Sequence, residues 1–234
     1  MAIVGKRINV TLEDLKSKKH NIFVGVSLGN KFFSPKNIKE YLLWALESTK
    51  ESVLVLVADE IQAINYQVLN NYTEGRAVNV AIRKGEEKKQ EISKVVSSLL
   101  EDQQNKVIIA DWGDLRKLPE YQGQIDVVKS EFENNPEFQE YIIRIIDENI
   151  GVVRPELNLS DKKKLAGYVL EELPSLLCGI NYDGRVYTLH PYPNLSSFDY
   201  LLEGMSNGKL FPELTTKLEV TDKIAIVELL VSWI

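Results

Sequence analysis

Among the 234 residues there is one cysteine, Cys178, and there are two histidines and two methionines. A single thiol cannot close an internal disulfide, and one Cys with two His cannot build a zinc-finger cluster, so no metal centre is expected. Chemistry then falls to hydroxyls and carboxylates. Positive charge is also short, at 28 Lys+Arg against 34 Asp+Glu, net −6, which excludes a globally basic nucleic-acid coat and confines any phosphate contact to a local patch. No apolar run approaches the roughly 20 residues of a membrane span, and residues 1–10 lack the apolar core of a signal peptide. A cytoplasmic protein without membrane contact is expected. No G-x-x-x-x-G-K-[ST] loop occurs, and no repeat, low-complexity tract or flexible linker divides the chain, so residues 1–234 read as one domain. The hydrophobic share, 44%, is ample for a core.

Residues 21–27 (Asn-Ile-Phe-Val-Gly-Val-Ser) form a short run rich in β-branched and aromatic side chains, as in a strand buried on both faces. Ser34-Pro35 follows, a capping residue with proline at the first helical position, then Ile38, Leu42, Ala45 and Leu46 at helical spacing. Further strands are expected at 52–58, 106–110, 185–190 and 224–231. Helices are expected at 76–100, 126–134, 136–149, 160–173 and 196–205. Strands alternating with helices predict an α/β fold with a mostly parallel central sheet.

Gly25-Val26-Ser27-Leu28-Gly29 fits G-x-S-x-G at a strand-to-helix junction. Flanking glycines suit a tight turn and close approach of a carbonyl, and the following helix start offers unpaired backbone N–H groups to a developing oxyanion. The alternative is a plain turn serine, since Gly and Ser are ordinary turn residues. A hydrolase would need a base. His20 lies about 23 Å away along the strand at ~3.3 Å per residue, which leaves His190. A serine esterase using Ser27 and His190 is therefore the competing enzyme reading.

The segment Gly25-Val-Ser-Leu-Gly-Asn-Lys-Phe-Phe-Ser-Pro-Lys-Asn37, followed by Leu42-Leu-Trp-Ala45, resembles the cyclodipeptide synthases. Pro119-Glu-Tyr-Gln122, Asn135-Pro-Glu-Phe138 and Gly167-Tyr-Val-Leu-Glu-Glu-Leu-Pro174 match in family order. The resemblance implies a Rossmann-type three-layer sandwich related to the catalytic domains of class I tyrosyl- and tryptophanyl-tRNA synthetases, acting without ATP or any other cofactor on two aminoacyl-tRNAs. It implies ping-pong acyl transfer. Ser27 becomes aminoacylated, the amino group of a second aminoacyl-tRNA attacks to give a dipeptidyl-enzyme, and a diketopiperazine is released. By the same resemblance Tyr168 and Glu172 are the family's Tyr-x-x-x-Glu pair, Asn30 orients the loop, and Gly25, Val55 and Tyr121 line the first pocket. His190 stands where many members carry tyrosine, and a shifted alignment offers Tyr187 or Tyr192 instead. A monomer is expected. Beside the synthase and the esterase, a silent tRNA-binding domain is the third reading.

Two stretches can be read independently of the family. On a wheel, Leu165, Val169 and Leu173 define an apolar side with Glu172 at its edge and Tyr168 further round, while Glu171 points away into solvent. Between Arg76 and Lys94 six basic residues face three acidic ones, an excess of +3 in an acidic chain. Arg76, Arg83 and Lys94 fall near one line. From the residues alone a solvated charged face is the bland reading; the family resemblance implies instead that these three, with Lys84 and Lys88, are the tRNA contacts, and Gly85 is expected to bend or interrupt that helix.

Overall fold

A computed structural model describes residues 2–152, 154–220 and 224–231. In chain order it contains β1 (Ala2–Ile8), α1 (Leu12–Lys16), β2 (Asn21–Ser27), α2 (Pro35–Ser48), β3 (Val53–Ala58), α3 (Gln62–Asn70) and α4 (Glu74–Val96). Then follow α5 (Glu101–Gln104), β4 (Val107–Asp111), α6 (Trp112–Arg116), α7 (Pro119–Asn134), α8 (Pro136–Ile146) and a π-helical turn, Asp147–Gly151. The chain continues with α9 (Leu159–Leu177), β5 (Ile180–Tyr182), β6 (Arg185–Tyr192), α10 (Ser197–Ser206), α11 (Pro212–Lys217) and β7 (Ala225–Val231).

The strands join in the order β1-β7-β6-β2-β3-β4, with β5 on β6. Pairs β2/β3, β3/β4, β2/β6 and β6/β7 are parallel, and β1/β7 and β5/β6 are antiparallel. All six residues of β3 are buried, as a strand covered on both faces demands. Successive side chains sort into two layers. Ile22, Val24, Val26, Val53, Val55 and Val57 pack with α2 and the end of α4, whereas Phe23, Leu54, Leu56 and Ala58 pack with α7, α8 and α9. This is the Rossmann-type three-layer arrangement. From β2 the chain builds outward through β3 and β4 on one side, and through β6 and β7 on the other. The carboxyl ends of β2 and β6 therefore flank a topological switch point, where the sheet opens a crevice.

Two expectations about helices fail for packing reasons. Helix α4 runs unbroken past Gly85. That glycine is buried against Asp59, and a Cβ there would lie 2.3 Å from the Asp59 Cβ, so its role is close approach of helix to sheet. Glu171 does not reach solvent. It is 7% exposed because α7 and α8 cover that side of α9. Its carboxylate receives Arg116 Nε and Nη2 at 3.0 and 2.6 Å and Lys129 Nζ at 3.2 Å, while Arg116 Nη1 reaches Glu60 at 2.8 Å. A buried carboxylate persists when paired in this way.

Candidate active site

Ser27 ends β2, and the tight turn after it is closed by Asn30 N–H donating to the Ser27 carbonyl at 3.3 Å. The Asn30 carboxamide accepts from Phe32 N–H at 2.9 Å and also bonds the Tyr192 hydroxyl, tying the loop to β6. Helix α2 starts only at Pro35, so its N-terminus is not the immediate neighbour of the serine that the junction pattern suggests. Ser27 Oγ lies 3.5 Å from the Tyr192 hydroxyl and also bonds the Tyr168 hydroxyl. Both phenols are buried enough to be pushed above their ordinary range, so they stay protonated and available as donors.

These groups open into a cleft of ≈ 380 Å³. Tyr168 and Glu172, one helical turn apart on α9, form one wall. Ile145 and Ile146 of α8, Asn149 of the π-helical turn and Phe198 and Asp199 of α10 form the opposite one. A π-helical turn at a cleft re-aims side chains relative to a regular helix. Burial lifts the Glu172 carboxyl to about 7, with the Asp199 charge adding to the effect. Asp199 is itself raised by burial, against the Ser196 backbone and hydroxyl bonds of its capping box. At neutral pH Glu172 is thus close to its own midpoint, suited to accepting and returning a proton.

The cleft continues inward as a chamber of ≈ 10 Å³ beneath Ser27, walled by Gly25, Leu56, Trp112, Ser175 and His190 among others. Gly25 lets the His190 ring lie close against the strand, since a Cβ would sit 3.1 Å from His190 Cε1. His190 is buried, stacked between Phe23 and Tyr192, with Nδ1 3.3 Å from the Phe23 carbonyl oxygen. Burial depresses it to about 4. The Ser27 hydroxyl is partnered by the two tyrosines and not by this imidazole, which removes the Ser–His pair that an esterase needs. The alignment ambiguity also resolves. Tyr192 meets the serine, whereas Tyr187 bonds Ser52 Oγ at 2.9 Å.

Two expected pocket residues are elsewhere. Val55 pairs in register with Val24 and points into the α2 layer, away from the cleft; Leu56 and Ala58 occupy the place assigned to it. Tyr121 lies behind α9, its hydroxyl donating to the Glu171 carbonyl at 2.6 Å, and it lines a separate groove. Trp112 and Asp199 were not expected; Asp199 is legible in the sequence only as the last residue of a Ser-x-x-Asp helix cap.

Of the five expected tRNA contacts, Arg76, Arg83, Lys84 and Lys94 are exposed along α4. Arg76 stacks on Tyr72 at 4.0 Å, Lys84 lies 5.0 Å from the Tyr66 ring centroid, and Arg83 pairs with Glu87 at 2.6 Å. Lys88 differs, for it folds back onto the Phe33 carbonyl and Glu91 and is spent within the fold. Helix α3 packs on both α4 and α9 and places Asn65 at the cleft. Among the described residues no group of three or more His, Cys, Asp or Glu could hold a metal ion, and no helix is long and apolar enough to cross a membrane.

Comparison with known proteins bears on this geometry. No curated protein matches the chain. Solved structures do. A cyclodipeptide synthase from Bacillus thermoamylovorans superposes with a TM-score of 0.76 at 16% identity, covering 98% of this chain and 95% of that one. The Mycobacterium tuberculosis protein described as showing that cyclodipeptide synthetases are related to type I tRNA synthetases gives 0.73 at 14%, covering 92% and 87%. A cyclodipeptide synthase from Candidatus Glomeribacter gigasporarum bound to Phe-tRNAPhe gives 0.57 at 15%, covering 88% and 86%. At such identities the likeness speaks for the fold. The sequence profile described as cyclodipeptide synthase matches residues 11–206, most of the chain and every element of the cleft, and the protein belongs to the cyclodipeptide synthase family.

Proposed function

We propose that the protein joins two aminoacyl groups, each delivered as a tRNA ester, into a cyclic dipeptide through an acyl-enzyme on Ser27. The observation that carries this reading is a serine hydroxyl held by Tyr192 and Tyr168 at the mouth of a cleft that also presents Glu172, in a member of this family. Ser27 Oγ attacks the ester carbon of the first substrate; the tRNA 3′-terminal oxygen leaves and takes up the proton, relayed through Tyr168. The ester is already activated, which makes ATP and a strong general base dispensable, and orientation by the two phenols supplies much of the rate.

Atom balance corrects the next step expected from the resemblance. If the amine of the incoming substrate attacked the Ser27 ester, the dipeptide would leave on tRNA and the serine would be free. To remain on the enzyme, the α-amine of aminoacyl-Ser27 attacks the ester carbon of the second aminoacyl-tRNA and expels that tRNA. The new terminal amine then attacks the Ser27 ester carbon, closing the six-membered ring and releasing the hydroxyl. Glu172 holds the ammonium form of each amine and removes its proton before attack, a task suited to a carboxyl near 7. Arg76, Arg83, Lys84 and Lys94 hold the tRNA backbone, so binding weakens steeply with salt.

The test is mass spectrometry of the acid-quenched protein after mixing with charged tRNA. An aminoacyl adduct on Ser27, lost with cyclic dipeptide formation in Ser27→Ala, supports the reading. Undiminished product from that variant rejects it.

A further inference from the structure

At the corner between α3 and α4, three flat side chains follow one another outward from the interior. Asn71 ends α3 in a left-handed conformation, φ 53°, and Tyr72 N–H returns to the Tyr66 carbonyl at 3.3 Å. This reversal brings the Tyr72 ring to 6.2 Å from the Tyr66 ring at an interplanar angle of 35°. From the first turn of α4, Arg76 then sets its guanidinium 4.0 Å from the Tyr72 centroid. Tyr66 is buried, Tyr72 half-buried and Arg76 exposed, so the stack ends in a charged plane facing water. Among the described residues no carboxylate pairs with Arg76, whereas Arg83 on the same helix is held by Glu87.

We propose that this stack receives an unpaired base from the 3′ strand of the tRNA, the strand whose last nucleotide carries the amino acid. This rests on the tRNA-ester reading above. Bases inside a duplex have both faces covered; an unpaired base stacks readily on aromatic rings and on arginine planes. A guanidinium lying flat on a ring keeps its outer face for a base and its N–H edge for the adjoining phosphate, which a lysine ammonium cannot do. The backbone contact assigned to Arg76 and the base contact thus use different parts of one group. Position favours the 3′ strand. Near its start α3 lies beside the loop after Ser27, where a Cβ on Gly29 would sit 3.7 Å from Gln62 Nε2, and Asn65 lines the cleft. The stack stands at the other end of α3, and the nine residues of that helix span only ~13.5 Å. A strand with its ester in the cleft therefore has the stack within a few nucleotides of its end.

Binding of an uncharged tRNA transcript, intact or stripped of one base at a time along its unpaired 3′ strand, tests the proposal. Removing the base that stacks is expected to weaken binding to the wild type about tenfold. Arg76→Lys keeps the charge and gives up the plane. It should lose about as much affinity for the intact transcript, with an unchanged slope of log affinity against log salt, because the same number of phosphates is neutralised. Tyr72→Leu removes the ring beneath and should act alike. Against the transcript that lacks the stacking base, neither variant should lose anything further. A purely electrostatic Arg76 would leave Arg76→Lys at full affinity, and a purely structural Tyr72 would weaken intact and stripped transcripts equally; either result overturns the proposal. So does a wild type that binds every stripped transcript as well as the intact one. If Tyr72→Leu does not fold, the stripped transcripts with the wild type and Arg76→Lys decide the matter. Absence of any binding of intact tRNA at low salt defeats the tRNA reading itself, and is thereby distinct from binding that ignores the 3′ bases, which defeats the stack alone.

Discussion

Replacing Glu172 by glutamine removes an ionisable group while keeping its shape, and its effect on stability can be worked out in sign and size. The carboxyl titrates near 7 in the fold and near 4.5 when free of it. Between those values the native protein binds more protons than the unfolded chain, so folding loses free energy as pH rises from about 4.5 to about 7 and nothing further above. The loss amounts to at most about 3 kcal/mol. Glu172→Gln mimics the protonated form and does not suffer it. The variant should match the wild type below pH 4.5 and exceed it at pH 8, by roughly 6–12 °C in melting temperature for a chain of this size. Paired thermal melts across pH 4–8, using the difference between the two proteins, isolate this carboxyl from every other titrating group. The same variant should lose cyclic dipeptide formation. A melting difference independent of pH would refute the burial argument, whatever happened to activity.

Removing the neighbouring charge with Asp199→Asn lowers the Glu172 midpoint, so the acid limb of the pH–rate profile should move to lower pH; a fixed limb would show that the two carboxyls do not interact. His190→Ala empties a buried site and should cost about 2–4 kcal/mol in denaturant unfolding, yet leave acylation of Ser27 in place. Loss of the adduct from that folded variant would restore the Ser–His pair. Gly85→Ala gains up to about 1 kcal/mol of helix propensity but drives a methyl into Asp59. A net destabilisation of about 1–3 kcal/mol is expected from overpacking, and a stabilised variant in urea titration would contradict the close approach. Arg83→Ala with Lys84→Ala should reduce the slope of log affinity for tRNA against log salt by about one for each phosphate that a side chain no longer neutralises. An unchanged slope in filter binding would place the tRNA elsewhere.

The strand that carries the serine is legible residue for residue, since 21–27 is an uninterrupted buried run, and the helical spacing of Tyr168 and Glu172 puts them on one edge of α9. Val55 was misplaced although its orientation follows from strand alternation once the register is known. Partners in a parallel pair share a face, so Val55 goes with Val24, while Leu56 goes with Gly25 and Ala58 with Ser27. Choosing between His190 and Tyr192 is beyond the sequence, because residues two apart on a strand face the same way and both meet the site. Strand β1 escapes notice because its hydrogen bonds go to β7, the last of the described strands in chain order. A pairing so distant leaves little local pattern. Glu171 looks solvent-facing because a helical wheel shows one helix and not the second layer that covers it.

The bracing of α9 separates two jobs that are adjacent in the chain. Glu171 is bolted through Arg116 to Glu60 just past the end of β3, and Glu172, the next residue, faces the substrate. A helix fastened by one carboxylate can present the other at a fixed depth, so the wall contributed by α8 is free to vary without disturbing the reacting groups, whereas α10 is tied to them through Asp199. Diversification of which amino acids are accepted can then proceed on α8, while the ester-handling centre stays anchored to the sheet.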